Sequence, residues 1–171
     1  AGTGIHRLGA NLPRETKRVD ILLTHLHLDH IQGLGFFWPL DTPDVEVHIW
    51  GPASTTQDLR TRLTRYLSPP LFPVRLRDLP CKLFFHETPC DECCIGEFMV
   101  QTAMVAHPGP TVGYRISNSA GVLTYIPDHE PALGAQKFPM HADWTSGYAL
   151  AADADVLIHD AQYTREEYSE R

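Results

Sequence analysis

The sequence predicts an α/β protein with a mostly antiparallel sheet component. Short apolar runs of strand length recur along the 171 residues, and residues typical of turns separate them. Segments with apolar residues at helical spacing lie between these runs. A hydrophobic content of 43 % and a charged content of 20 % are those of an ordinary globular chain. Because single domains span roughly 50 to 250 residues, we expect residues 1–171 to form one domain.

The first part of the chain predicts two strands. Residues 19–24 form a short apolar run that leads into a polar turn, which is typical of a buried strand. Residues 45–50 alternate between apolar and polar side chains with period two, and Gly51 and Pro52 are expected to end that strand.

A helix is predicted next, with Ser54 or Thr55 as its N-cap. Its apolar positions recur at helical spacing and are Leu59, Leu63, Tyr66 and Leu67. We expect this helix to end before Pro69 and Pro70, because the residue before a proline is biased away from helical conformation.

Strands dominate the remaining sequence. They are predicted over residues 82–86, 98–105, 111–116, 121–126 and 155–159. Asn118 to Gly121 is typical of a turn. Residues 149–153 complete a short helix, and Thr164 is the expected cap of a last one, with acidic residues in its first turn.

The charge of the chain limits the partners that it could bind. Fourteen Lys and Arg residues against twenty-one Asp and Glu residues give a net charge of −7. Long nucleic acid is an unfavourable partner, since its binding requires a basic surface. A small anionic substrate remains compatible if the site itself supplies positive charge. The sequence also lacks the run of about 18 apolar residues that spans a membrane, so no membrane association is expected.

Four cysteines indicate a reducing compartment, and we therefore expect a cytoplasmic protein. Cys90, Cys93 and Cys94 crowd into one segment, and two of them are adjacent, which does not suit a disulfide framework. Cys90-x-x-Cys93 could be half of a structural zinc site that Cys81 or Cys94 completes. The favoured alternative is that these cysteines are small apolar residues in a β-rich region.

The most informative segment follows the first predicted strand and contains His25, His27, Asp29 and His30. In extended backbone His25 and His27 point to the same side. Asp29 and His30 lie where the chain must turn, so they can address a second position a few ångströms away. Imidazole and carboxylate groups together suit zinc, iron or manganese. Two such ions about 3.5–4 Å apart could share a hydroxide.

Two later residues complete this donor set. His107 lies at the end of a long predicted strand, and Asp128 ends the apolar run at residues 122–127. A carboxylate at such a place can bridge two cations. Taken alone, His107 would be a hydrogen-bonded surface histidine and Asp128 a turn former.

The His25-x-His27-x-Asp29-His30 signature resembles that of the metallo-β-lactamase fold hydrolases. Within that superfamily the chain is similar to the phosphodiesterase branch, which includes ribonuclease Z and cyclic-nucleotide phosphodiesterases. Residues 107–114, 125–131 and 157–163 support the likeness, which extends over nearly the whole chain.

The resemblance implies an αββα sandwich with two divalent metal ions, zinc first and manganese or iron as alternatives. It assigns His25, His27 and His107 to the first ion, Asp29 and His30 to the second, and Asp128 to both. Asp29 would also help to hold the hydroxide. Asp160 matches the position of an acid beside the metal ligands. His159 would lie near the leaving oxygen. The alternative for His159 is a histidine at the end of a strand whose ring is hydrogen-bonded.

The chain departs from the family pattern at both ends. Relatives begin with several strands of the sandwich, and Ala1 to Gly4 resembles the close of that part. Relatives also have a final metal-binding histidine in a Gly-His-Ser/Thr context beyond the point that corresponds to Arg171. The expectation is therefore a fragment that lacks the opening strands and the C-terminal end.

The expected function is hydrolysis of a small phosphodiester, cyclic diesters included, by a metal-bridging hydroxide. The alternatives are hydrolysis of a thioester or lactone on the same fold, and a degenerate metal-binding domain without turnover. Basic and glycine-rich sequence of the kind that ribonuclease Z uses to hold its substrate is absent. An apolar group follows the signature and consists of Phe36, Phe37, Trp38 and Leu40. It could form a substrate wall or a homodimer contact, and core packing is the favoured alternative.

Overall fold

A computed structural model describes residues 1–88, 92–131, 133, 141–164 and 166–167. The chain divides into two compact units, Ala1–Pro89 and Cys90–Arg171. The first unit contains α1 (Gly4–Asn11), β1 (Arg18–Leu22), α2 (Leu28–Ile31), β2 (Glu46–Pro52), α3 (Leu59–Thr64) and β3 (Lys82–Thr88). Its short 3-10 helices are Leu34–Phe36, Trp38–Asp41 and Leu76–Asp78.

The first unit is built on a parallel three-stranded sheet in the order β1-β2-β3. Ile21 pairs with Ile49, which pairs with Phe85, so these apolar residues share one face of the sheet. The expectation of a mostly antiparallel sheet is wrong for this unit. Long connections separate its strands, and connections of about a dozen residues or more permit parallel crossovers.

The apolar face of this sheet contributes to one continuous core. Val47 and Ile49 are fully buried there together with leucines of the helical segments. Core packing is confirmed for Phe37 and Leu40, which are both buried. Phe36, in contrast, is 71 % exposed.

Helix α3 begins at Leu59, three or four residues after the start that the sequence predicts. Its N-cap is Asp58, whose Oδ1 accepts a hydrogen bond from the backbone N–H of Thr61 at 2.6 Å. Ser54 and Thr55 therefore do not cap it. The apolar positions Leu59 and Leu63 are correct and fully buried, whereas α3 ends at Thr64, before the predicted positions Tyr66 and Leu67.

The second unit contains β4 (Glu92–Ile95), β5 (Phe98–Met104), β6 (Val112–Asn118), β7 (Gly121–Ile126), α4 (Tyr148–Ala151) and β8 (Val156–His159), with a 3-10 helix at Ala142–Trp144. The strands form one sheet in that order. Strands β4 to β7 are antiparallel neighbours, and β8 runs parallel to β7. The antiparallel prediction is confirmed for these first four strands, while β4 itself was not predicted.

Helix α1 is also missing from the sequence prediction. Gly4 and Gly9 lower its intrinsic helix propensity, and contacts with the rest of the unit compensate. A Cβ atom on Gly9 would lie 3.1 Å from a ring carbon of Phe37, and Trp38 Nε1–H donates to the Gly9 carbonyl at 2.6 Å. The helix therefore depends on close packing that local sequence does not reveal.

Two short predicted features are confirmed. The side chain of Asn118 accepts a hydrogen bond from the Ala120 backbone in the turn between β6 and β7. Thr164 Oγ1 accepts from the Glu167 backbone N–H, and a Glu167 carboxylate oxygen accepts from the Thr164 backbone N–H. This reciprocal pair is a capping box.

Two further points concern the state of the cysteines and the possibility of a membrane-spanning helix. Cys81, Cys93 and Cys94 are free cysteines, and Cys90 lies outside the described residues. Within the described part of the chain, none of the helices combines the length and the apolar character needed to cross a bilayer.

Candidate metal centre

In the first unit, the end of β1 leads His25 into the interior. The backbone N–H of Leu23 still bonds to the Trp50 carbonyl at 2.8 Å, so the chain remains tied to β2 just before the signature. Thr24 is buried, and its hydroxyl lies 3.2 Å from His25 Nδ1. His25 is only 2 % exposed. The Thr24 hydroxyl therefore occupies Nδ1 of His25, and Nε2 faces His27 of the signature.

The remaining signature residues gather around His25. His27 has extended backbone, and its Nδ1 lies 2.9 Å from His25 Nε2. The ring centroid of His30 lies 4.3 Å from that of His25. Asp29 approaches His30 Nε2 at 3.1 Å, although its side chain is 72 % exposed. The structure thus brings together all four groups that the sequence singles out in this segment.

Two glycines allow the start of the chain to pack against this signature. The backbone N–H of Gly33 bonds to the Ala1 carbonyl at 3.1 Å. A Cβ atom on Gly2 would lie 2.5 Å from the backbone oxygen of Asp29, and one on Gly33 would collide with the Gly2 carbonyl. Both positions require glycine because backbone meets backbone there.

In the second unit, His107 lies between two carboxylates. Its Nε2 is 3.6 Å from Asp128 Oδ2, and its Nδ1 is 3.5 Å from Glu130 Oε1. His107 follows β5 and Asp128 follows β7, so the loops at the ends of these two strands bring them together. The backbone N–H of Glu130 bonds to the Ala106 carbonyl at 2.7 Å and joins these loops.

Glu130 has no role in the sequence analysis, yet it faces the ring nitrogen of His107 that is turned away from Asp128. A carboxylate in that position is typical of metal-binding histidines, because it fixes the tautomer that leaves the other nitrogen free to ligate. The available signal is its place in the sequence, two residues after Asp128 in the same loop.

The predicted catalytic residues His159 and Asp160 lie at the end of β8 and make local hydrogen bonds. His159 Nδ1 lies 2.9 Å from the Asp160 carbonyl, and its Nε2 lies 2.9 Å from His129 Nδ1. The two carboxylate oxygens of Asp160 accept from the backbone N–H groups of His129 and Gln162 at 3.1 and 2.8 Å. Strand β8 is thereby attached to the loop that contains Asp128.

Buried His129 and half-buried Ser146 form a polar pair that no sequence pattern indicates. His129 Nε2 lies 2.8 Å from Ser146 Oγ, which also accepts from the Ala106 backbone N–H at 3.0 Å. Burial, with His159 adding to it, lowers the pKa of His129 to about 4, so its imidazole is neutral at pH 7. Nearby, burial raises the pKa of Tyr125, and the charge of Asp128 raises it further.

The chemistry of these donors fits a divalent metal. His25 and His27 of the first unit, and His107 and Asp128 of the second, each offer one atom that can ligate an ion. Imidazole nitrogen and carboxylate oxygen are the ligands that zinc, manganese and iron accept in proteins. Each unit therefore contains side chains of the type that bind a divalent metal.

The chain matches a known family and several known folds. The family model described as "Beta-lactamase superfamily domain" matches residues 2–170. The metallo-beta-lactamase fold protein YhfI from Bacillus subtilis is 16 % identical, with a TM-score of 0.56 over 99 % of this chain and 77 % of its own. Among curated proteins, no sequence matches the chain significantly.

Two further solved structures share the fold. The short form of human tRNase Z is 19 % identical, with a TM-score of 0.57 over 88 % of this chain and 60 % of its own. Zn²⁺-bound PqqB from Methylobacterium extorquens is 16 % identical, with a TM-score of 0.56 over 94 % of this chain and 71 % of its own.

The resemblance predicted from the His25 to His30 signature is confirmed at the level of the superfamily. Proteins of this fold are generally metal-dependent hydrolases, and they typically bind divalent metals such as zinc. The match extends over nearly all of the sequence, and the α/β elements of both units agree with it. This chain is therefore a member of the beta-lactamase superfamily domain family and has the metallo-β-lactamase fold.

Proposed function

We propose that this chain is a metal-dependent phosphodiesterase that acts on a small phosphodiester, with cyclic diesters among its candidate substrates. The observation that carries the proposal is the donor set itself, in which His25, His27, His107 and Asp128 each offer a ligating atom. Because the chain has a net charge of −7, the positive charge that an anionic substrate requires would have to come from ions held in the site.

In this proposal His25, His27 and His107 hold one divalent ion, Asp29 and His30 hold a second, and Asp128 contacts both. Zinc is the first candidate for both positions. Ions held there would lower the pKa of a bound water toward about 7 and polarise the phosphoryl oxygens. Because Asp29 is 72 % exposed, its carboxylate is accessible to accept a hydrogen bond from the attacking water.

The leaving oxygen needs a proton, and we assign this task to the His159 and Asp160 segment, with solvent as the alternative source. His159 Nδ1 and the Asp160 carbonyl are hydrogen-bonded at 2.9 Å, so the segment forms one ordered polar group at the end of β8. A general acid matters only when the leaving group is basic.

This assignment predicts different losses for good and poor leaving groups. His159→Gln and Asp160→Asn should lower kcat for an alkyl phosphodiester by about 100-fold or more, the range typical of general acids. The same variants should hydrolyse bis(p-nitrophenyl) phosphate nearly as fast as the wild type, because p-nitrophenolate leaves without protonation. Equal losses on both substrates would contradict a role as proton donor.

Replacing a proposed ligand tests the metal centre. His27→Ala should abolish hydrolysis of bis(p-nitrophenyl) phosphate and lower the metal content measured by elemental analysis, because it removes a ligand. His6→Ala, which changes an exposed histidine of α1, is the matched control and should alter neither. Full activity of His27→Ala with metal retained contradicts the ligand assignment.

Substrate class is tested by assaying the phosphodiester beside a lactone and a thioester. Turnover of the phosphodiester alone supports the proposal, and turnover of the lactone or thioester alone contradicts it. Wild-type protein that binds one ion or none and turns over none of the three substrates is a degenerate domain. That result also contradicts the proposal.

The same proposal includes a small anionic substrate as the main partner and a cytoplasmic location. The free thiols of Cys81, Cys93 and Cys94 support the cytoplasmic location, and a site that holds divalent ions would supply the positive charge that an anionic substrate requires. Phe36, which is 71 % exposed, is the part of the apolar group available for a substrate wall or a homodimer contact.

A further inference from the structure

One hydroxyl group connects the two loops that contain His107 and Asp128. Ser146 Oγ accepts a hydrogen bond from the backbone N–H of Ala106, the residue before His107, at 3.0 Å. The same oxygen lies 2.8 Å from Nε2 of His129, the residue after Asp128. Ser146 is therefore one hydrogen bond from the chain neighbour of each proposed ligand.

Backbone contacts make this connection rigid. The carbonyl of Ala106 accepts from the Glu130 backbone N–H at 2.7 Å, so both polar groups of Ala106 are bonded across the loops. Gly147 follows Ser146 with a φ of +76°, a left-handed conformation that favours glycine. His129 is buried, and a carboxylate oxygen of Asp160 accepts from its backbone N–H at 3.1 Å.

The two ends of this hydrogen-bonded chain have fixed directions. The Asp160 carbonyl can only accept, so His159 Nδ1–H donates to it, and His159 Nε2 pairs with His129 Nδ1 at 2.9 Å. The other ring nitrogen of His129, Nε2, pairs with the Ser146 hydroxyl at 2.8 Å. The Ala106 N–H can only donate, so Ser146 Oγ accepts at the other end of the chain.

We propose that Ser146 and His129 are positioning residues that hold His107 and Asp128 in the geometry needed to ligate a metal. The inference rests on the proposed metal site, and it adds two residues that neither contact the ion nor belong to the signature. Without the Ser146 hydroxyl, the Ala106 N–H and His129 Nε2 lose their common partner, and the two loops lose this direct connection.

The first test compares Ser146→Ala with Ser146→Thr, which keeps the hydroxyl. Zn²⁺ affinity is measured by competition with a chromogenic chelator, and the visible absorption of Co²⁺-loaded protein reports ligand geometry. We expect about 10-fold or weaker Zn²⁺ binding and an altered Co²⁺ spectrum for Ser146→Ala, within the usual range for groups that support metal ligands. Ser146→Thr should resemble the wild type, as should the control Ser119→Ala on an exposed turn.

A second pair of variants separates the two hydrogen bonds of the His129 ring. In His129→Gln the side-chain amide can replace Nε2 and bond to Ser146, whereas in His129→Asn it can replace only Nδ1 and bond to His159. We therefore expect His129→Gln to bind Zn²⁺ more tightly than His129→Asn. This comparison also decides the matter if Ser146→Ala fails to fold.

Two outcomes overturn the inference: wild-type Zn²⁺ affinity in Ser146→Ala, or His129→Asn binding Zn²⁺ at least as tightly as His129→Gln. Neither measurement uses a substrate. If the wild type binds Zn²⁺ but hydrolyses no phosphodiester, the proposed function fails while the positioning role is still measured. If His27→Ala loses Zn²⁺ and Ser146→Ala does not, the metal site stands and the positioning role fails.

Discussion

At the scale of single residues, the two carboxylates around His107 bear on its proposed role as a metal ligand. Asp128 faces its Nε2 and Glu130 faces its Nδ1, at 3.6 and 3.5 Å. If Asp128 and His107 Nε2 both face a metal ion, Glu130 is the carboxylate that can hold the hydrogen on Nδ1. Glu130 should therefore affect metal binding without being a ligand.

Glu130→Gln tests this effect. The amide keeps the size of the side chain but lacks its charge, so we expect Zn²⁺ affinity to fall about 10-fold, and Glu130→Ala to lose more. Chelator competition measures both. Glu97→Gln, an exposed change in the turn between β4 and β5, is the control. Unchanged affinity in both Glu130 variants would show that His107 is oriented by other groups.

Local spacing explains which site residues the sequence can reveal. His25, His27, Asp29 and His30 stand close together in the chain, and their motif alone indicates metal chemistry. Ser146 is 17 residues from His129 and 40 from Ala106, and it acts only through contacts made in the fold. A lone serine at such a distance has no pattern from which this contact could be predicted.

At the scale of elements, the short helix α2 depends on glycines outside it. Gly33, just beyond the helix, bonds to the Ala1 carbonyl at 3.1 Å, and Gly2 packs against the backbone of Asp29. The start of the chain thus supports the helix that contains Asp29 and His30. The sequence analysis assigned Ala1 to Gly4 only to the close of a preceding part, because this contact is not local.

Gly33→Ala should destabilise the first unit. The added Cβ would collide with the Gly2 carbonyl, and overpacking of this kind typically costs about 1–3 kcal/mol. A lower midpoint in urea unfolding would show it. Gly4→Ala is the matched control, because nothing lies within 4 Å of its added Cβ and alanine favours a helix. Equal midpoints for Gly33→Ala and the wild type would mean that the contact is not needed.

Strand periodicity was the more reliable guide to the elements, and strand direction the less reliable. The alternation at residues 45–50 correctly predicts β2, although the strand continues through Gly51 and Pro52. The parallel pairing of β1, β2 and β3 depends on how the connections cross the sheet, which periodicity does not describe. The N-cap of α3 is Asp58 and not Ser54 or Thr55, because the helix begins only at Leu59 and several residues before it can serve as caps.

At the scale of the whole molecule, the buried histidines affect how stability responds to pH. In the first unit, His86 stacks on Trp50 with ring centroids 3.9 Å apart, and its Nε2 lies 2.9 Å from His48 Nδ1. Burial lowers the pKa of His86, and the neighbouring His48 lowers it further. The folded chain therefore resists a proton that the unfolded chain accepts near pH 6.5.

The free energy of unfolding should consequently fall as pH drops below about 6.5, because the unfolded state then binds more protons than the folded state. His86→Gln should reduce this loss between roughly pH 7 and 5, with His129 still contributing in the same direction. Urea midpoints at several pH values measure the slope, with His6→Gln as the control. An equally steep fall in His86→Gln would contradict this role of His86.

The hydrogen-bonded chain from Ala106 to Asp160 has an electrostatic consequence beside Asp128. Because burial lowers the pKa of His129 to about 4, the residue next to Asp128 adds no cation to its surroundings at neutral pH. An ordinary exposed histidine there would become imidazolium near pH 6.5. Burying this ring therefore keeps the charge beside that carboxylate constant across the pH range in which an exposed histidine would gain a proton.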